Sequence, residues 1–467
     1  MSFQVRYRME EPTAMASQQR NRYDDSKSDM TKKQDKFNIK AEIWPLSGGG
    51  RLAIEFMPGL ESFSLGFFLP VGAAHEPASL SGISHFIEHM LFKGTNRRNP
   101  KQIVQAIERV GGLINASTGR EATYYFVRVG SSRLDLALDV LVDVVFNPLF
   151  DPQAMGLEKG VILEEMHMTE DDPEQALYDR FLRGVHGNTA FGRPILGSES
   201  TLMSFNPNTI KTYHRENYNQ SRLIASIAGG IDPERVFRLL EKRLARFPVK
   251  ARVRKEAHQA PTFKPRILAY SKDVEQAALL IGCRSAGVNA PERYSYTILD
   301  AISAGGMMSR LFQEVREKRG LVYSIDSTQQ PYSKGGIFTV EAGCKEENIL
   351  KVTKLVFREF KSLMENGPGK KELADTKVYL KGHWALGLES STARMIRNAM
   401  SMLFFNRLIP HDEMIAHLDA VTQEDVVNAA SKMFENGGPA VGVLAKFGEK
   451  NGVKEMEEKI RALVEKA

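Results

Sequence analysis

Apolar and polar positions alternate along residues 121–129 (EATYYFVRV), which is the period of a half-buried strand. The spacing then changes to that of an amphipathic helix over 133–146. A proline turn and a second helical pattern at 153–168 follow. The same succession returns later. GGIFTVEAG at 335–343 reads as a strand, a helical pattern runs from Glu347 to about Met364, and an Asn-Gly-Pro-Gly turn leads to a helix at 371–386. Late in each run a helix precedes a short apolar strand: TIKTYHRENY before RLIASIAGG, and DVVNAASKMF before PAVGVLAKF. The elements match in order while the residues mostly differ, so the chain reads as one α+β unit duplicated and then diverged. Strands set beside runs of helices predict, in each of two similar domains, a largely antiparallel sheet covered by helices on one side. Between the halves, PVKARVRKEAHQAPTFKP at 248–265 carries Pro248, Pro261 and Pro265 and reads as an extended linker. The expected domains are therefore 41–247 and 266–467. Residues 1–40, where Arg6, Arg8, Arg20 and Arg22 mix with Glu10, Glu11, Asp24 and Asp25, read as a flexible arm.

Composition narrows the function classes without choosing one. A chain of 467 residues exceeds a single core, and 42% hydrophobic with 26% charged residues is ordinary for a globular protein. The net charge of +6 is a mild excess of base, and no basic run is interleaved with aromatics, so nucleic acid is not an expected partner. No apolar stretch reaches the roughly 18 residues of a membrane span. The N-terminus lacks the apolar core of a secretory signal, and its acidic residues argue against a transit peptide. Two cysteines, Cys283 and Cys344, are no disulfide framework for this length and read as small core hydrophobes in a reducing compartment. Together these point to the bacterial cytoplasm, with a mitochondrial matrix as the alternative.

The chemistry concentrates in His85-Phe86-Ile87-Glu88-His89. A helix predicted from just after Ser81 to Gly94 gathers Ile83, Phe86, Ile87, Met90 and Leu91 into one apolar stripe, with His85, Glu88 and His89 on the other side. Histidines one turn apart can point at one spot, and neutral imidazole is a good zinc ligand. A neighbouring carboxylate can take a proton from activated water. The order H-x-x-E-H is a metallopeptidase signature; the bland reading is a solvated face with two histidines. A catalytic zinc needs a third protein ligand and one open position. On the helix at 153–168, Val161 and Ile162 mark the buried side, and Glu158 and Glu165 project from nearly the same side. A carboxylate there is costly unless paired or metal-bound, so Glu165 is the preferred ligand and Glu158 the residue orienting one from behind. Glu164 points about 100° away from Glu165 and reads as solvent-facing. His75, His167 and His186 have no comparable partners and read as structural.

These stretches also carry a resemblance. GISHFIEHMLFKGT at 82–95, GGLINASTGREATYY at 111–125, EKGVILEEM at 158–166 and MSRLFQEVREKRGLVYSI at 308–325 are similar to the insulinase/pitrilysin zinc peptidases. The nearest branch contains the mitochondrial processing peptidase and its bacterial relatives. The likeness runs from about residue 40 to the end. It implies two α+β halves of one fold, a single zinc per chain on His85, His89 and Glu165, Glu88 as general base, and Glu158 as the additional upstream glutamate. It implies that Arg316 and Tyr323 bind and polarise substrate, and that Asn115 and Ala116 mark the edge strand on which an extended peptide lies. By residue pattern alone, REKRGLVY is only the basic end of a helix running into a strand. The resemblance further implies a homodimer whose chains complete one another's sites, a heterodimer with a related subunit being the variant. Relatives of the non-catalytic kind carry a longer glycine-rich loop where this chain has the short ISAGGMMSRLF. The expected function is a zinc-dependent endopeptidase for short or unfolded polypeptides, with a non-catalytic scaffold or partner subunit as the alternative.

Overall fold

A computed structural model describes residues 41–247, 249, 259–435, 437–448 and 451–465. The arm expected at 1–40 and most of the expected linker lie outside these residues. The first sheet contains β1 (Ala41–Pro45), β2 (Arg51–Phe56), β3 (Ser62–Leu69), β4 (Leu113–Thr118), β5 (Thr123–Gly130) and β6 (Ile224–Gly229), in the order β1-β2-β6-β3-β5-β4. The second contains β7 (Ile267–Ser271), β8 (Ala277–Ser285), β9 (Val322–Tyr332), β10 (Gly335–Cys344) and β11 (Ala440–Ala445), in the order β7-β11-β8-β10-β9. Without β1 the two orders are the same permutation. Each sheet has one parallel pair, β2 with β6 and β7 with β11, and is otherwise antiparallel. The duplication expected from the pattern is thus present in the topology. The expected helices follow their strands: Leu134–Phe146 and Pro152–Asp171 after β5, Ile349–Asn366 and Lys370–Gly387 after β10.

Helices cover both faces of each sheet, not one. Leu52, Ile54, Phe63, Leu65 and Phe67 face a core shared with helices of their own half, while the alternate residues Ala53, Phe68, Ile224 and Ala228 face the other way. That second face is covered by helix Ser391–Phe405 of the other half, through Met395, Ala399 and Met402. The second sheet mirrors this arrangement. Leu279, Ile281 and Cys283 face their own half's core, while Ala278 and Leu280 meet Ala176, Leu177 and Phe181 of helix Pro173–His186 from the first half. Each half therefore lends one helix to its neighbour's sheet. Phe263, within the stretch read as linker, is buried in the same cluster. The cysteines are buried, and Cys283 belongs to the core of the second half.

The two bracing contacts differ chemically. Helix Pro173–His186 docks mainly through aliphatic and aromatic side chains, with a polar contact where the Tyr178 hydroxyl donates to Gln330 Oε1 at 2.7 Å. Helix Ser391–Phe405 adds a polar layer: Ser226 donates to the Met395 carbonyl at 2.8 Å, and Ser64 bonds Thr392 at 2.8 Å. The buried Glu55 accepts from Arg394 and from Asn398 Nδ2 at 2.6 Å, which satisfies a charge that would otherwise be expensive. Both braces approach over a glycine. A Cβ on Gly282 would lie 2.5 Å from the Phe181 ring, and one on Gly66 would lie 2.9 Å from Met395 Sδ.

Alanine at Gly282 or Gly66 should therefore cost about 1–3 kcal/mol through overpacking. Gly160→Ala, whose Cβ meets nothing within 4 Å on helix Pro152–Asp171, should be neutral or stabilise by up to about 1 kcal/mol. Urea midpoints of the three variants test this, and a Gly282→Ala chain as stable as the parent would show that the helix is not seated so closely.

Candidate metal centre

The motif helix spans Ile83–Leu91 and starts at Gly82, whose φ of 91° suits glycine. A Cβ there would also press on Gly197 Cα at 2.9 Å. Its N-terminal amides are satisfied from outside the helix. The buried Glu76 accepts from Gly82 N at 2.7 Å and Ser84 N at 2.8 Å, and Arg193 clamps the Glu76 carbonyl at 2.6 Å. Ile83, Phe86, Ile87, Met90 and Leu91 are buried as the stripe predicts. The opposite side is not a solvated face: His85 is buried too, and His89 and Glu88 are partly covered.

The cover is helix Pro152–Asp171, on which Ile162 and Glu158 are buried as expected. Val161, read as part of the buried side, is 50% exposed; the inward face is centred one position further along, on Ile162. Glu164 is exposed, as expected, and its carboxylate stands 3.9 Å from the exposed His167. Glu165 points inward. Its Oε2 lies 3.7 Å from His85 Nε2 and 3.6 Å from His89 Nε2, and this buried oxygen has no hydrogen-bond partner. Among the described residues these three form the one cluster of His, Cys, Asp and Glu donors that converge within 4.8 Å.

The residues fit zinc. Donors at about 2.1 Å from a tetrahedral ion stand roughly 3.4 Å apart. Burial, followed by the neighbouring His89, holds His85 down at about 3, so its imidazole is neutral, the form that can bind a metal. Behind His89, Glu158 accepts from Nδ1 at 2.8 Å and pairs with Lys93 Nζ at 2.6 Å. Burial raises the Glu158 carboxyl, but the bonds to His89 and Lys93 outweigh it and leave it below the ordinary range. Burial raises Glu88, opposed by a hydrogen bond from Thr118 Oγ1. Lys93, Thr118 and Glu76 were not foreseen, although Lys93 and Thr118 each lie inside a motif stretch.

His85, Glu88 and Glu165 line a cavity of ≈ 600 Å³ with Thr118, Arg120 and Tyr124. Its far wall comes from the second half: Gln329 to Tyr332 at the end of β9, and Met400 and Phe404 of the bracing helix. Asn115 and Ala116 lie on β4, which among the described residues ends the first sheet and pairs with β5 alone. The Ala116 amide is turned to the Asn115 side chain, donating to Oδ1 at 2.8 Å. Arg316 and Tyr323 do not line this cavity. Arg316 sits on a π-helical segment, Phe312–Glu317, with its guanidinium 4.8 Å from the Phe312 ring. Tyr323 is 75% exposed near the start of β9. Of the histidines read as structural, His75 Nδ1 accepts from Gly72 N at 3.2 Å and His186 bonds the Thr262 carbonyl, whereas His167 is exposed.

Two imidazoles and a carboxylate on packed helices are the donor set of a zinc hydrolase. Comparison with known proteins agrees. Residues 51–199 match "Insulinase (Peptidase family M16)" and residues 204–380 match "Peptidase M16 inactive domain". An uncharacterized zinc protease of Bacillus subtilis is 34% identical over 386 residues, covering 83% of this chain and 94% of that protein. An uncharacterized zinc protease of Mycobacterium tuberculosis H37Rv is 34% identical over 423 residues, covering 90% and 95%. Among solved structures, a protease from Helicobacter pylori superimposes with a TM-score of 0.81 at 21% identity, over 87% of this chain and 99% of that one. This chain belongs to the insulinase family of zinc peptidases, peptidase family M16. The stretch matched as inactive contains none of the donor trio.

Burial moves Glu76 from the ordinary 4.5 up to about 7, against the amide bonds that pull it down. The folded chain then holds more protons than the unfolded one between those values, so this residue's share of stability falls as pH rises through that window. Glu76→Gln should flatten the stability–pH curve between pH 4.5 and 7 relative to the parent. Urea unfolding across that range reads the slope, and an unchanged slope would remove Glu76 as its source.

Proposed function

We propose that this protein is a zinc-dependent endopeptidase that hydrolyses short or unfolded polypeptides, with Glu88 as general base. The observation that carries the reading is the buried, unpartnered Glu165 oxygen facing two imidazole nitrogens, with Glu88 beside them in the same cavity. His85, His89 and Glu165 would hold the metal, and Glu158 would orient His89. Bound zinc supplies the Lewis acidity that lets water lose a proton near neutral pH. Glu88 takes that proton as the water attacks the scissile carbonyl and passes it to the leaving amine. The substrate backbone lies along the open edge of β4 near Asn115 and Ala116, which requires an extended chain. Arg316 and Tyr323 bind and polarise the substrate, with the Tyr323 hydroxyl as a donor to the developing oxyanion. Because both lie away from this chain's own cavity, they act on the site of a second copy in a homodimer. A scaffold without activity has less in its favour, since the donor trio and Glu88 are complete. The bacterial sources of the relatives support a bacterial cytoplasmic location.

Glu88→Gln should keep one zinc per chain and lose about 10²–10⁴-fold in cleavage of a mixed peptide library. Chelation of the parent should abolish the same cleavages. A Glu88→Gln chain that cuts as fast as the parent means the base is elsewhere. Mixing Glu88→Gln chains with Tyr323→Phe chains should restore activity above either alone; no gain in the mixture would end the shared-site reading.

A further inference from the structure

We infer that Thr118 is a positioning residue for the catalytic base: it sets the Glu88 carboxylate from the same strand that seats the substrate. The inference rests on the reading of Glu88 as base. Thr118 is the last residue of β4, and its Oγ1 donates to Glu88 Oε2. That bond occupies one carboxylate oxygen and fixes the plane of the group, leaving Oε1 as the oxygen for the proton in transit. The position is rigid for three reasons. Thr118 pairs across the sheet with Thr123, the branched side chain restricts its own rotamer, and the Glu88 backbone is held in the buried motif helix. The adjoining turn is tied down as well: Gly119 donates to the Ala122 carbonyl at 2.8 Å, and the buried Arg120 bonds the Arg193 carbonyl at 3.1 Å. Glu88 is partly covered, and among the described residues Thr118 makes the one hydrogen bond to its side chain, so the hydroxyl is the directional contact that orients the carboxylate. Peptide docked along residues 113–118 and the base that acts on it thus share one reference frame. A shift of the strand moves both together.

The test separates positioning from folding and from metal binding. Thr118→Val keeps the shape and removes the donor; Thr118→Ser keeps the donor. In the full-length zinc enzyme Thr118→Val should lower kcat about tenfold to a hundredfold with KM and zinc content unchanged. Thr118→Ser should recover most of the loss. In the double variant with Glu88→Gln the valine should add no further loss, because it acts through that carboxylate. The inference is overturned if Thr118→Val retains its kcat, if its defect appears in KM or in zinc content, or if serine is no better than valine. Glu88→Gln run in parallel distinguishes the two failures. An inactive Glu88→Gln beside a fully active Thr118→Val removes only the role of Thr118, whereas an active Glu88→Gln removes the base itself.

Discussion

The exchange of one helix between the halves is the constraint on which the rest depends. A sheet with an uncovered second face would need polar residues at alternate positions. Here β3 (SFSLGFFL) and β8 (AALLIGCRS) are nearly continuous apolar runs, because both faces are buried. The exchange also explains why glycine stands at 66 and 282, beneath the incoming helices. It shapes the candidate site as well. All three donors come from the first half, yet the cavity in front of them is closed by Met400, Phe404 and the end of β9 from the second.

The site has an unbalanced charge budget that favours a cation. Lys93 lies against Glu158, so that carboxylate is compensated. Glu165 faces two imidazoles, of which His85 is held neutral by burial, and among the described residues no lysine or arginine pairs with it. A partly buried carboxylate is costly by itself, and a divalent ion in the space between the three donors would remove that cost.

Much of this was legible in the sequence, for identifiable reasons. The motif helix and its apolar stripe follow from short-range periodicity, and the internal duplication follows from the repeated order of elements. Glu165 rather than Glu164 could be selected because consecutive residues on a helix point about 100° apart. The supporting detail was partly wrong: Val161 is exposed, and Ile162 and Glu158 mark the inward face. The two bracing helices were not legible, since their partners lie about a hundred residues away or more and nothing in their own periodicity says which sheet they meet. A clue lay in the nearly continuous apolar character of β3 and β8. Lys93, Thr118 and Glu76 were missed for the same reason. Each acts through contacts with residues brought beside it by the fold, and lysine, threonine and glutamate are common enough to carry no signal alone.

A reciprocal contact does not depend on which chain supplies which helix. The same mutual embrace is available to two separate copies of a single half, each reaching across to the other's sheet. A one-half forerunner therefore already had the means to pair with itself. Fusing two such genes would have altered the connectivity while leaving the packing as it was, and would have freed one half to lose its metal donors while it still walled its twin's cavity.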